Sequence, residues 1–252
     1  MQENTPTYPP WGIWATIGFS LIIVACFLLV QMLAAVLFVT AKGNIDPDLD
    51  PAMLASSLET NGFLLALTTC ATMVVTIGLV ALFIWFRRQA TFKQYLHLSP
   101  ISAKTLIGWL GVVVLFGIVW DGLTYLLDRP IIPDFMLTAY ATAYFAPLLW
   151  LAVVIAAPLT EEVFFRGFLF EGIRFSRLGG IGAVLFTSLI WAVIHIQYGL
   201  YEISTVFILG IVLGIARLKT QSLYTTIAMH SLANLLATLE VVVYLHYLTN
   251  AD

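Results

Sequence analysis

Long unbroken apolar runs constrain this chain more than any other feature. Between Trp11 and Thr40, and again between Gly62 and Phe86, there is no charged residue. A hydrocarbon core about 30 Å thick needs roughly 18 to 20 apolar residues to cross it, and lipid obliges every spanning backbone to satisfy its own hydrogen bonds. The runs are too continuous for the alternating pattern of barrel strands, so they are read as helices. Composition agrees: 61% of the 252 residues are hydrophobic and 10% are charged, whereas a soluble domain carries about a quarter charged. A soluble globule is excluded, and the fold class is all-α, a polytopic transmembrane bundle.

Breakers divide the runs. The first span reads as Trp11 to Thr40, followed by a loop from Lys42 to Thr60, where Asp46, Pro47, Asp48, Asp50 and Pro51 oppose a helix. A second covers Gly62 to Phe86 and stops at Arg87 and Arg88; a third covers Thr105 to Leu127. A long region from Thr142 to Phe175 contains Pro147 and Pro158, with a kink expected at Pro158. Then come Ile181 to Gln197, a short helix from Ile203 to Arg217, and Leu223 to Tyr247. The count is seven spans, or eight if the long region is two segments. No basic n-region precedes the first run, which at about 30 residues is too long for a signal-peptide core, so it is expected to stay as a membrane helix.

Charge says little about partners and more about orientation. Net charge is -3 and the 11 basic residues are scattered, so nucleic acid is not an expected partner. Alternate loops hold Arg87, Arg88, Lys93, Lys104, Arg174, Arg177, Arg217 and Lys219 in one set, against Lys42 and Arg129 in the other. The excess of cations on cytoplasmic loops places the N-terminus inside. Cys26 and Cys70 lie in apolar runs without a metal-binding spacing and read as small core residues.

Arg166 belongs to neither set, because it falls within a span. A charge in mid-span costs at least about 2.5 to 3.5 kcal/mol on insertion scales, so such residues face the bundle interior and mark function. Glu161, Glu162 and Arg166 put three charges into six residues of an apolar stretch. Glu162 and Arg166 are spaced i,i+4 with the acid first, the favourable order for a pair, while Glu161 points about 100° away. The expectation is one carboxylate held by arginine and one free. His195 closes the run after Trp191, and His230 and Asn234 share one face of the last helix. Measured at about 1.5 Å per residue from the cytoplasmic ends, these groups reach a common depth of roughly 16 to 22 Å.

A carboxylate in a low-dielectric site can act as a base toward water at neutral pH, and imidazole and amide groups can donate to the oxygen that gains charge when a peptide carbonyl is attacked. Neutral His195 and His230 can alternatively ligate a divalent metal such as zinc together with a carboxylate. Both schemes end in peptide hydrolysis.

Three motifs in this order, EExxxR at Glu161 to Arg166, an FxxxH-like element at Trp191 to His195, and HxxxN at His230 to Asn234, resemble the CPBP intramembrane proteases. That family includes type II CAAX prenyl endopeptidases and Abi-like bacterial proteins linked to bacteriocin processing or self-immunity. The resemblance covers about residues 142–247 and implies a catalytic helical core over 142–252; residues 1–141 read only as N-terminal membrane spans, about three helices, within one membrane domain. It implies Glu161 as the activator of water, Glu162 and Arg166 as its supporting pair, and His195, His230 and Asn234 completing the site, with or without a metal. It further implies a membrane-associated peptide or lipidated protein as substrate and the bacterial inner membrane as location. Trp191 stands where the family usually has Phe, which predicts a packing change. HExxH, GxGD and GxSG, the marks of other intramembrane proteases, are absent. The alternatives are a non-catalytic binding or immunity protein of the same fold and a proton-coupled transporter.

Outside this set, Gly210 and Gly214 form a GxxxG suited to close helix approach. Asp121 reads as a packing or interface residue, and His97 and His246 as solvated. Tyr8, Trp11, Trp14 and Tyr247 read as an interfacial aromatic belt.

Overall fold

The computed structural model describes residues 8, 10–42 and 50–248, and among these every regular element is helical. In chain order the helices are α1 (Ile13–Lys42), α2 (Pro51–Glu59), α3 (Gly62–Phe86), α4 (Phe92–Tyr95), α5 (Ala103–Leu126) and α6 (Asp134–Ala141). They continue with α7 (Ala146–Arg174), α8 (Gly179–Val193), α9 (Leu200–Thr220) and α10 (Leu223–Val243). Six of them, α1, α3, α5, α7, α9 and α10, are long and apolar enough to cross a membrane, and α8 is a shorter apolar helix of 15 residues. The protein is an all-α integral membrane bundle.

The outer helices show what surrounds the bundle. Leu21, Leu29, Leu33 and Leu37 of α1 and Ile107, Leu115, Ile118 and Val119 of α5 are all exposed, which only a hydrocarbon solvent rewards. Helix α7 lies at the centre, packed on α1, α3, α8 and α10. Phe164, Phe165, Phe168, Phe170 and Ile173 of α7 are buried in the core.

Pro158 does not divide α7. The helix passes through it as one element by widening into a π turn over Leu151–Ala156, so the long region is a single span. Ala157 N donates five residues back, to Ala152 O. In that wide pattern the next carbonyl, Val153 O, faces residue 158, a proline without an N–H. Asn234 of α10 supplies the missing donor, its Nδ2 lying 2.9 Å from Val153 O. A second wide turn, Glu162–Leu169, follows.

The structure corrects several boundaries. The acid and proline that were expected to oppose a helix before Thr60 instead start α2: Asp50 accepts from Ala52 N at 2.9 Å and Pro51 takes the first helical position, where its missing N–H costs nothing. Asp46, Pro47 and Asp48 lie outside the described residues. Helix α6 was not anticipated, its eight residues being too few for a periodic signal. Helix α8 stops at Val193 rather than Gln197, and α9 is full length, from Gly199 as extended N-cap to Gln221, which leaves it in the left-handed region at φ 51°.

Hydrogen bonds tie the loops into two opposite ends. At one, Ser222 Oγ donates to Ser99 O and Arg174 Nη1 to Gln221 Oε1, joining the α4–α5 connector to the ends of α7 and α9. At the other, Gly62 N donates to Thr142 Oγ1, Thr124 bonds Tyr201, and Arg129 lies over the Tyr201 ring. Helix α8 runs from the first end toward the second. The GxxxG of α9 serves this packing: a Cβ at Gly210 would come within 3.0 Å of Ser188 and Trp191, and one at Gly214 within 2.9 Å of Val184.

Candidate active site

Two adjacent glutamates of α7 meet different surroundings. Glu162 and Arg166 are both completely buried, one helical turn apart, with Arg166 Nη1 donating to Glu162 Oε1 at 3.1 Å. The same oxygen lies 3.0 Å from His230 Nδ1. A carboxylate has no proton to give, so His230 donates through Nδ1–H, and its Nε2 points away from the pair. Two positively polarised donors thus converge on one buried acid, as burial of a charge requires.

Glu161 has a side chain 23% exposed. The Trp191 indole Nε1–H donates to its Oε2. His230 Nε2 stands 4.0 Å from that oxygen, too far for a direct bond, while a water about 2.8 Å from each atom would bridge them. Arg166 holds Glu162 as expected, whereas Glu161 is not free: it is partly exposed and bound by the Trp191 indole.

Trp191 occupies the middle of the group. Arg166 Cζ sits 4.3 Å from its ring centroid, and the imidazoles of His230 and His195 meet it edge-on at 5.1 and 5.3 Å. His195 lies beyond the last residue of α8, not on it. Its Nδ1–H donates to Trp191 O at 2.6 Å, satisfying a carbonyl that the helix end leaves free. Its ring stacks on Tyr198 at an interplanar angle of 9°. Glu161, Glu162, Arg166 and His230 are therefore gathered directly, and His195 joins them through Trp191. Asn234, half-buried one turn beyond His230, is tied to Val153 O.

Among the described residues no three His, Cys, Asp or Glu side chains are grouped so as to hold a metal ion. Catalytic zinc sites use three protein ligands. His195, His230 and Glu161 are the residues that would supply such ligands, and they are not grouped closely enough to form the set.

Sequence reasoning missed a second buried polar cluster. Glu171 is completely buried, and its Oε1 accepts from Arg217 Nη2 at 2.7 Å, lies 3.2 Å from His97 Nε2 and 3.4 Å from Arg174 Nη1. Arg217 Nε also donates to Arg166 O at 3.0 Å, tying this cluster to the wide turn of α7. Arg174 and Arg217 had been placed among loop cations, and His97 and Tyr8 at the surface. Tyr8 is buried, its hydroxyl donating to Gln94 O at 3.0 Å and lying 3.3 Å from His97. The i,i+3 spacing of Glu171 and Arg174 was the available signal. Burial pushes the Tyr8 and Tyr95 phenols above their ordinary value of 10.0, with the charge of Glu171 adding to it.

Residues 143–236 match the family described as type II CAAX prenyl endopeptidase Rce1-like, from just before α7 to within α10. The chain is 28% identical over 179 residues to an uncharacterized 24.3 kDa protein of Escherichia coli, an alignment spanning 66% of this chain and 76% of that protein. No solved structure matches it.

Proposed function

We propose that this chain, whose residues 143–236 match the Rce1-like family and so support a place among the CPBP intramembrane proteases, is an endopeptidase that hydrolyses a peptide bond in a membrane-associated or lipidated protein or peptide, with Glu161 activating the attacking water. One observation carries the reading. Of two neighbouring glutamates, Glu162 is sealed between Arg166 and His230, while Glu161 is partly open and faces His230 Nε2 across a gap of one water.

In this scheme Glu161 takes a proton from water as the water oxygen bonds to the carbonyl carbon. The carbonyl oxygen gains the electron pair; with Nδ1–H of His195 and of His230 already engaged, each ring donates to that oxygen from Nε2 only when it carries a second proton. Collapse breaks the C–N bond, and the proton taken by Glu161 passes to the leaving nitrogen, giving an amine and a carboxylic acid that then releases its proton to solvent. Glu162 acts through His230, fixing its ring by the Nδ1–H bond; Arg166 pairs with Glu162 and packs on Trp191. Asn234 holds α10 to α7 and so fixes where His230 stands. No step is routed through a metal.

Purified protein in detergent, given matched prenylated and unmodified peptides, tests this. Glu161→Gln is expected to reduce cleavage by roughly 10²- to 10⁴-fold with thermal stability unchanged; wild-type cleavage by that variant would remove Glu161 from the role. Loss with both peptide types would leave lipid outside the recognition, and cleavage of the prenylated peptide alone would place it inside.

The same reading sets the end that carries His97, Arg174 and Arg217 in the cytoplasm, with the N-terminus, in a bacterial inner membrane. Arg174 and Arg217 are buried and leave the positive-inside count, yet Arg87, Arg88, Lys93, Lys104, Arg177 and Lys219 still outweigh Lys42 and Arg129. A Lys93→Cys protein in intact cells should resist a membrane-impermeant thiol reagent; ready labelling would invert the topology.

A further inference from the structure

Trp191 is 2% exposed and clamped on every side that matters for its orientation. The Arg166 guanidinium covers one face, both imidazoles stand nearly perpendicular to the ring, and the absent side chain of Gly210 leaves room for its six-membered ring, since a Cβ there would stand 3.0 Å from Trp191 Cε3. The ring cannot swing without displacing a buried charge. Its Nε1–H, a donor and never an acceptor, is thereby aimed at Glu161 Oε2. Glu161 itself has a longer, partly exposed side chain whose rotamers need an external restraint to keep one oxygen toward the His230 gap.

We propose that Trp191 is a positioning residue for Glu161: its indole N–H donates to Oε2 and holds that oxygen where it faces His230 Nε2 across the gap, its second lone pair turned to the water whose proton it takes. A phenylalanine would reproduce the ring contacts and lose this bond, so the tryptophan contributes more than the packing change anticipated from the sequence. The inference rests on the reading of Glu161 as the base, but the bond itself can be examined without turnover.

Trp191→Phe is expected to lower kcat roughly 10- to 100-fold, the value of a hydrogen bond to a charged group, with KM little changed because no substrate contact is removed. In the Trp191→Phe, Glu161→Gln double variant, activity should fall no further than in Glu161→Gln alone, because the indole acts through that carboxylate. Independently of activity, the indole 1H–15N resonance of Trp191, assigned by its disappearance in Trp191→Phe, should move upfield in Glu161→Gln. A wild-type kcat in Trp191→Phe, an additive loss in the double variant, or an indole resonance indifferent to Glu161→Gln would each overturn the proposal. If the wild-type protein cleaved no peptide, the proposed function would fall, while the indole shift would still decide whether Trp191 holds Glu161.

Discussion

Asn234 donates its side-chain amide to the backbone carbonyl of Val153 at 2.9 Å, at the place where Pro158 cannot donate. One side chain of α10 thus repairs the central helix and, four residues away, sets the depth at which His230 meets Glu162. The proline and the asparagine are 76 positions apart in the chain and form a single device: the helix is opened at the site and closed again from its neighbour.

Asn234→Leu should therefore destabilise the fold by about 1–2 kcal/mol, because it strands a carbonyl in an apolar interior. Thermal unfolding in detergent measures this. Unaltered stability would mean that Val153 O has no need of the amide.

The Glu162 and Arg166 pair predicts strong coupling. Glu162→Gln or Arg166→Met alone leaves a buried charge uncompensated and should cost about 3–5 kcal/mol. The double variant should lose clearly less than the sum of the singles. A denaturation cycle over the four proteins checks it, and additive losses would mean that the two charges are satisfied separately.

Alkaline pH should loosen the end of the bundle where Tyr8 and Tyr95 are buried. Desolvation, reinforced by Glu171, raises both phenols above 10.0 in the folded protein. A raised folded value means that the folded state holds a proton which the unfolded chain releases first, so stability is intact below pH about 10 and declines as pH rises beyond it. Melting temperature recorded from pH 8 to 12 should show the decline, and Tyr8→Phe should make it shallower. An identical slope in the variant would remove Tyr8 from the effect.

The spans and the polar motifs were legible in the chain because both depend on short-range pattern. Charge-free runs locate α1 and α3, and the i,i+4 spacing of Glu162 with Arg166 announces their pairing before any neighbour is known. His195 was misplaced because the end of a helix depends on a local cap, here its own imidazole on Trp191 O, which hydropathy does not register. Arg174 and Arg217 looked like loop cations because they sit at span ends, and their partner Glu171 reaches them only after α7 and α9 have packed.

Sequence by itself determined that the chain is a helical membrane protein with acidic, basic and imidazole groups sunk into its core, since transfer of each residue between water and lipid is close to a sum of local contributions. Tertiary structure alone decided which glutamate is sealed and which is open. That choice turns on how α8 and α10 lie against α7, bringing Trp191 to Glu161 and His230 to Glu162 from 30 and 68 positions away. Such convergence is a property of helix packing angles and of the glycines and wide turns that permit them, and no window along the chain contains it.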